Sequence, residues 1–254
     1  MLSSDEVKDF LDFKVNQYNN HAFIEFDPIS IPHQFSIKED IEISAFLTAT
    51  ISWGNRKAIL KAANELMCLM GNSPFDFIMN SNSNQISRLL KYYYRTFHGS
   101  DLGYFILSLK NIYENHGGLE LIFSNNSNDT LHDSITSFRS IFFELPHLDR
   151  TRKHVSNPDS GSAAKRLHMM LRWLVRKDNK GVDFGIWKEI SPSCLSIPLD
   201  LHSGNTARKL GLLKRKSNDL KAVIELDQVL REFDPNDPVK YDFALFGMGA
   251  EEKW

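Results

Sequence analysis

Ile197-Pro198-Leu199-Asp200-Leu201-His202 is the stretch from which we interpret the fold and the function of this chain. In it, an apolar segment leads to a carboxylate, and the residues that follow have the composition of a basic helix. Because aspartate is a strong N-cap residue, Asp200 predicts that a helix begins at the next position. Two interpretations stand side by side: Asp200 only caps the helix, or it also takes part in chemistry.

Helices with basic residues are predicted on both sides of this stretch. Downstream, Ala207-Arg208-Lys209-Leu210-Gly211-Leu212 lies within a helix predicted from Leu201 to Leu213. Upstream, Ser162-Ala163-Ala164-Lys165-Arg166 leads into a segment whose apolar residues recur at helical spacing. The recurring residues are Leu167, Met170, Leu171 and Leu174. Lys165 is therefore expected in the first turn of an amphipathic helix, either as a functional amine or as an ordinary surface lysine.

Composition restricts the class of protein. With 254 residues, 42% hydrophobic and 24% charged, the chain has the profile of a globular protein of one large or two small domains. Its two cysteines form no CxxC pair, so neither an iron–sulfur cluster nor a structural zinc site is expected. We also expect no other metal and no cofactor. Reduced thiols favour a cytoplasmic location. No apolar run approaches the ~20 residues of a membrane span, and the acidic N-terminal segment does not resemble a signal peptide.

The charges are unevenly distributed, although the formal net charge is only −2. Basic residues concentrate over 150–180 and 208–216, whereas acidic residues concentrate near the N-terminus and after Asp219. A bipolar chain of this kind is expected to present one phosphate-binding face to a nucleic acid. The alternative is that these cations only solvate the exposed faces of helices.

The hydrophobic pattern predicts an all-α fold, because apolar residues recur with helical spacing and no stretch alternates with a period of two. Helix is predicted from Leu89 through three tyrosines to Phe97, a helical turn over 186–190 and a loop over 125–129. We expect one globular unit of two helical subdomains with a cleft between them. Residues 40–199 would form the middle subdomain, with a hairpin-like region near 158–176, and residues 1–39 and 200–254 the second.

Three segments resemble, in the same order, those of the helix-hairpin-helix DNA glycosylases. The segment from Ile197 to Leu212 looks like their catalytic-aspartate segment, in which Asp-x-His, preceded by Pro or Val, leads into a helix with Arg and Leu-Gly. The segment Phe46–Trp53 resembles the buried helix and turn beside the flipped base, and Lys165–Arg172 resembles the catalytic-lysine helix of the archaeal-type 8-oxoguanine glycosylases. The chain also resembles a bacterial family of unknown function that ends in Asp-Pro-x-Asp-Pro-Val-Lys-Tyr-Asp-Phe-Ala-Leu, as residues 234–245 do.

This resemblance implies an all-α DNA repair enzyme that flips a damaged base out of double-stranded DNA. Lys165 would be the nucleophile that forms a Schiff base with the sugar, and Asp200 the carboxylate that stabilises a cation-like sugar. The DNA contacts that the resemblance implies are Gly161, Ser162, Arg166, Arg172, Arg208 and Lys209. The base-pocket or wedge residues that it implies are Trp53, Asn55, Arg56 and His202.

The implied enzyme is a DNA N-glycosylase, with AP lyase activity as a second expected step and an oxidised purine as the expected substrate. It would act as a monomer without an obligate protein partner, in the bacterial cytoplasm at the nucleoid. The chain departs from the family in the hairpin, where Gly-x-Gly is reduced to Gly161 and Ser162-Ala163-Ala164, and in the 35 residues that separate Lys165 from Asp200.

Other interpretations therefore stay open. The chain could be a non-catalytic nucleic-acid-binding protein on the same scaffold, or a helical domain whose basic face binds an acidic protein. Trp53 could belong to the core, because large aromatic side chains usually do. His202 could simply occupy the first turn of a helix.

Overall fold

The computed structural model describes residues 3–125 and 130–254. Most of the described chain is helical, so the all-α fold class is confirmed. The α-helices and strands, in chain order, are α1 (Ser4–Tyr18), α2 (His21–Phe26), α3 (Lys38–Ile51), α4 (Arg56–Leu69), α5 (Pro74–Asn80), α6 (Ser83–Leu89), β1 (Tyr93–Tyr94), β2 (Phe97–His98), α7 (Gly99–Asn115), α8 (Leu119–Ser124), α9 (His132–Phe142), α10 (Lys165–Val175), α11 (Leu201–Lys209), α12 (Leu220–Phe233) and α13 (Tyr241–Glu251). Short 3-10 helices occupy Pro28–Ser30, Pro32–Gln34, Asp149–His154, Pro158–Ser160, Pro192–Cys194 and Pro238–Lys240.

The chain folds into two compact units. The first, which we call the terminal unit, comprises the described residues of Met1–Phe23, Ser127–His132 and Asn157–Trp254. The second, the middle unit, comprises the described residues of Ile24–Asn126 and Asp133–Ser156. Both predicted boundaries differ from this division: residues 24–39 lie in the middle unit, and residues 157–199 lie in the terminal unit.

The terminal unit is built around apolar faces of α1, α12 and α13. Leu11 of α1, Leu226 of α12 and Met248 of α13 are all fully buried in one core. Ile197 and Leu199 belong to the same core, which explains why the segment before Asp200 is part of this unit. A capping box between Ser3 and Glu6 begins α1.

The middle unit is organised around α3, which is buried from Asp40 to Ile51. Its centre is a group of phenylalanines in which Phe46 packs against Phe105, Phe138 and Phe142 with ring centroids 5.4–5.6 Å apart. Each of these rings is at most 1% exposed. Such aromatic contacts stabilise a core beyond the area that they bury.

The helix predicted over Leu89–Phe97 is wrong. The helix α6 ends at Leu89, and Tyr93–Tyr94 pairs with Phe97–His98 as a two-stranded antiparallel hairpin. The strands are two residues long, too short for period-two alternation to be visible in the sequence.

The helical turn predicted over 186–190 is also absent, because Gly185 has a positive φ of 53° and the residues that follow take no helical turn. The loop predicted over 125–129 lies outside the described residues except for Asn125. No helix in residues 3–125 and 130–254 has the length and apolar character needed to cross a bilayer.

Candidate active site

Lys165 is the first residue of α10, at the end of a tight connection. The connection turns at Gly161, whose φ is 84°, and ends at Ala164, whose φ of 43° is left-handed. A Cβ atom in this region costs about 1–2 kcal/mol, so the fold holds Ala164 in a backbone conformation that glycine adopts freely. The hydroxyl of Ser162 accepts a hydrogen bond from the Ala164 amide at 3.2 Å. The carbonyl of Gly161 accepts one from Leu220 at 3.0 Å, which ties the connection to α12.

Asp200 is the N-cap residue of α11, as predicted. One carboxylate oxygen, Oδ1, accepts hydrogen bonds from the amide and the hydroxyl of Ser203 at 2.9 and 3.1 Å. The carbonyl of Asp200 accepts a further bond from Asn218 Nδ2 at 2.7 Å. These bonds occupy Oδ1 and the backbone and leave Oδ2 as the oxygen that faces Lys165.

The segment before Asp200 is anchored by a buried carboxylate. Asp227 of α12 accepts a hydrogen bond from the Ile197 amide at 2.9 Å. Burial raises the pKa of Asp227 to about 6, although bonds from Ile197 and Ser196 and the charge of Arg231 oppose the rise. The carboxylate at the N-terminus of α11 therefore projects from a segment that is fixed to the core.

Lys165 and Asp200 meet in space. Lys165 Nζ lies 3.9 Å from Asp200 Oδ2, although 35 residues separate the two in the sequence. Their side chains are 30% and 18% exposed, so both remain accessible to solvent. A distance of 3.9 Å is that of an ion pair, and it leaves the amine and the carboxylate within reach of one small group placed between them.

Asp242, in the first turn of α13, is a third charged residue beside this pair. Burial raises the pKa of its carboxyl to about 6; the charge of Arg172 opposes the rise, the charge of Asp200 adds to it, and the charge of Lys165 opposes it. The sequence interpretation missed Asp242. Its signal was a lone carboxylate in the apolar segment Tyr241-Asp242-Phe243-Ala244-Leu245, since a buried carboxylate usually has a specific partner.

Arg172 is not placed to bind a DNA phosphate, and this part of the prediction is corrected. It is only 3% exposed, and its guanidinium donates hydrogen bonds to Asp242 and to Asp183. The guanidinium also lies over the ring of Phe243, 4.4 Å from its centroid. An amphipathic pattern does not distinguish a solvated arginine from a buried one whose partners are distant in the sequence.

Arg172 is part of a buried network of ion pairs. Asp183, which is 5% exposed, joins Arg172 to Arg176, whose Nη1 lies 3.0 Å from the second carboxylate oxygen. Arg176 also pairs with Asp178 and Asp237, each at 2.9 Å. Such a network is costly to disrupt, because removal of one member leaves its partners charged and buried.

The other DNA contacts predicted in the terminal unit differ in accessibility. Gly161 and Lys209 are exposed, and Ser162 and Arg166 are half-buried. Burial lowers the pKa of Arg166. Arg208 instead fastens the connection after α11, since it donates to the Arg215 carbonyl at 2.7 Å and to Asn218 Oδ1 at 2.6 Å.

His202 lies in the first turn of α11. Its ring nitrogen Nδ1 is 3.1 Å from the carbonyl of Gly249, and the ring meets Phe246 edge to face. These contacts connect α11 to α13 and support the interpretation of His202 as a helix-start residue.

Trp53, Asn55 and Arg56 belong to the middle unit. Trp53 is half-buried, its carbonyl accepts a hydrogen bond from Tyr94 Oη at 2.9 Å, and its ring is stacked near His154. Asn55 is the exposed N-cap residue of α4, and Arg56 is the first residue of that helix. Trp53 therefore lies at the surface of its unit rather than inside the core.

No group of three or more His, Cys, Asp or Glu side chains among the described residues is arranged to hold a metal ion. The groups at the site that can take part in chemistry include the amine of Lys165 and the carboxylates beside it.

Comparison with known proteins gives one match. The sequence model of a family described as "Protein of unknown function (DUF2400)" matches residues 27–251. No curated protein and no solved structure matches the chain.

Proposed function

The chain belongs to the DUF2400 family of proteins of unknown function, and we propose that it is a DNA N-glycosylase with AP lyase activity. The expected substrate is double-stranded DNA with a damaged base, an oxidised purine in the first instance. The observation that carries the proposal is the distance of 3.9 Å between Lys165 Nζ and Asp200 Oδ2.

The pair has the two groups that base removal by an amine requires. A neutral lysine Nζ can bond to C1′ of the deoxyribose while the bond from C1′ to the base breaks. The base leaves with the bonding electrons and takes a proton from solvent. The nitrogen, now cationic, loses a proton, and its lone pair then expels the ring oxygen O4′, which takes up a proton, so that a protonated Schiff base joins Nζ to C1′. Removal of a proton from C2′ then expels the 3′ phosphate by β-elimination and cleaves the strand.

Asp200 would act at two steps of this reaction. Its Oδ2 faces the amine, so the carboxylate can take the proton that the nitrogen loses. The same negative charge favours the positive charge that develops on the sugar as the base leaves. Because Oδ1 is held by Ser203, the carboxylate needs no reorientation during the reaction.

The accessible cations of the terminal unit supply the phosphate contacts in this proposal. Lys209 is exposed, and Arg166 is half-buried beside Lys165. Gly161 and Ser162 precede the uncapped N-terminus of α10, where backbone amides favour an anion. Arg208 would act indirectly, by fixing the connection that ends α11.

The scaffold of the proposal is the helix-hairpin-helix glycosylase arrangement. The left-handed Ala164 supports it, since the backbone before Lys165 keeps a conformation typical of glycine where the sequence lacks one. A base must leave the duplex to reach the pair, at a cost of a few kcal/mol. The proposed protein is a monomer at the bacterial nucleoid and needs no metal or cofactor for these steps.

Borohydride trapping tests the proposal. The protein is incubated with duplex DNA that contains 8-oxoguanine or an abasic site, and borohydride then reduces any Schiff base to a stable covalent adduct. We expect wild type to form the adduct and Lys165→Gln to form none. Lys221→Gln, which changes an exposed lysine of α12 in the same unit, is the matched control and should trap as wild type does.

The second candidate is a non-catalytic nucleic-acid-binding protein on the same scaffold. It is favoured by the engagement of Arg172 in a buried network, because that arginine is unavailable to a phosphate. Salt-dependent binding to duplex DNA without released base, cut strand or trapped adduct would select it. An adduct that persists in Lys165→Gln would exclude the lysine role.

A further inference from the structure

The hairpin formed by β1 and β2 has one buried and one exposed face. Tyr92 and Tyr94 are 2% and 8% exposed and point into the middle unit with Phe97. Lys91, Tyr93 and Arg95 alternate with them and are exposed, Tyr93 to 67%. We call Lys91, Tyr93 and Arg95 the hairpin face. An aromatic ring lies on it between two cations.

The ring of Tyr93 is held in place although it is exposed. Tyr93 is paired across the strands with His98, and the two ring centroids are 5.0 Å apart at an angle of 39°. One side of the tyrosine thus rests on the imidazole while most of its surface faces solvent. A ring that is already positioned loses little side-chain entropy when it stacks on a planar partner.

Arg95 is held against the turn that follows Trp53. Its φ is 54°, a left-handed value that costs an arginine about 1–2 kcal/mol. A Cβ atom on Gly54 would lie 1.8 Å from Arg95 Nη1, so a side chain at this position would displace the guanidinium. The hydroxyl of Tyr94 donates to the carbonyl of Trp53 at 2.9 Å and joins hairpin and turn a second time.

Both joined segments lack acidic residues. Between Phe77 and Ser100 the sequence has no Asp or Glu but contains three basic residues, Arg88, Lys91 and Arg95. Between Ile43 and Asn64 it again has no Asp or Glu and contains Arg56, Lys57 and Lys61. Within the described ranges, Arg88, Lys91 and Arg95 form no ion pair with a carboxylate. The two segments therefore carry a net positive charge, and Arg88, Lys91 and Arg95 are available to an anionic partner.

We propose that the hairpin face binds single-stranded DNA, with Tyr93 stacked on an unpaired base and Lys91 and Arg95 paired with phosphates. Cations interleaved with an exposed aromatic ring are the combination that single-strand binding uses. The bases of an intact duplex have their faces covered by neighbouring bases and cannot stack on a side chain. The inference takes from the proposed function only the choice of DNA as the polymer.

Fluorescence anisotropy with the full-length protein and a labelled, undamaged single strand of about a dozen nucleotides tests this inference. Tyr93→Ala is expected to weaken binding roughly tenfold, the effect of one lost base–aromatic stack, while Tyr93→Phe binds as wild type does. Phe13→Ala is the matched control: Phe13 is also an exposed aromatic, at 64%, but it lies on the acidic helix α1. It should leave binding unchanged.

The salt dependence of binding tests the two cations. Each phosphate contact to a single strand contributes about 0.7 to the slope of log Kobs against log salt concentration. Lys91→Gln with Arg95→Gln should therefore reduce the magnitude of this slope by about 1.4. Lys253→Gln removes an exposed lysine near the C-terminus and should not change the slope.

Two outcomes overturn the inference: Tyr93→Ala binds the single strand as tightly as wild type, or wild type binds polyglutamate and no DNA. Thermal unfolding of each variant shows whether the fold is intact. Lys165→Gln should bind the single strand normally, and Tyr93→Ala at saturating concentration should still form the borohydride adduct. If wild type forms no borohydride adduct but binds the single strand in a manner that depends on Tyr93, only the proposed function is rejected. If wild type forms the adduct but its single-strand binding does not depend on Tyr93, only this inference is rejected.

Discussion

Asp200 caps α11 and pairs with Lys165, and the two roles predict different effects for two substitutions. Asp200→Ala removes the oxygen that accepts the Ser203 amide at 2.9 Å, whereas Asp200→Asn keeps an acceptor in the same position. Both substitutions remove the negative charge that faces Lys165 Nζ at 3.9 Å. The two variants should therefore differ in their free energy of unfolding, and they should release the damaged base at similarly reduced rates.

The sizes of these effects follow from the contacts. Loss of an N-cap costs about 0.5–2 kcal/mol, and asparagine caps a helix as well as aspartate does. The ion pair is partly exposed, so its loss adds no more than a few tenths of a kcal/mol. Asp200→Ala should then lower the free energy of unfolding by about 1–2 kcal/mol, and Asp200→Asn by about 0.5 kcal/mol or less. Loss of a group that stabilises developing charge should slow base release about 100-fold or more in both.

Urea unfolding and single-turnover release of the damaged base measure the two effects. Asp219 provides the matched control, because its side chain caps α12 by accepting a hydrogen bond from Ala222 and its ion pair is with Arg215 rather than with Lys165. Asp219→Ala should lose stability through its cap yet release the base at the normal rate. If Asp200→Asn releases the base as fast as wild type, Asp200 is only a cap and the carboxylate role is refuted.

Three further predictions concern the surroundings of the site and the hairpin. His168 is 5% exposed, and burial lowers its pKa to about 4. The unfolded state therefore binds a proton more readily than the native state does, and the native state loses stability as pH falls below about 6.5. Between pH 7.5 and about pH 4.5, urea unfolding should show that the free energy of unfolding falls by about 2–3 kcal/mol more in wild type than in His168→Gln. Arg172→Met should lower the free energy of unfolding by about 3–5 kcal/mol at about pH 8 and by less at about pH 5. The reason is that Asp242, whose pKa is about 6, is protonated at about pH 5 and no longer needs the cation. An equal loss of stability at both pH values would contradict this. Gly54→Ala should lower the free energy of unfolding by about 1–2 kcal/mol and should weaken single-strand binding by displacing Arg95. Gly71 also has a positive φ but lies in open space, so Gly71→Ala should lose a similar amount of stability and bind the single strand normally.

The helices were predictable because their apolar residues recur at helical spacing. α12 is an example, because Val223, Leu226 and Leu230 recur at helical spacing and are all buried. The position of Asp200 as an N-cap was equally local information, since a cap depends on residues within one turn.

The hairpin could not be predicted from the same signals. Three consecutive tyrosines have no polar alternation, although two of them are buried and the middle one is exposed. The turn depends on Arg95 in a left-handed conformation that arginine rarely takes, and the space for its guanidinium comes from Gly54, 41 residues away. Tertiary contacts decide such a turn, and the local sequence does not contain them.

The candidate site was predictable in part. Lys165 and Asp200 were selected by resemblance and by their helix starts, but only the fold determines their separation. The burial of Arg172 depends on Asp183 and Asp242, which lie 11 and 70 residues downstream. Spacing along one helix carries no information about partners at such distances.

The most direct test of the proposed chemistry is to identify the amino acid to which DNA becomes attached. Wild-type protein is trapped with borohydride on an abasic site, digested, and analysed by mass spectrometry to locate the modified lysine. The predicted result is one adduct on Lys165, whose Nζ lies 3.9 Å from Asp200 Oδ2. No adduct, or an adduct on another lysine with Lys165 unmodified, would contradict the proposed role of this pair.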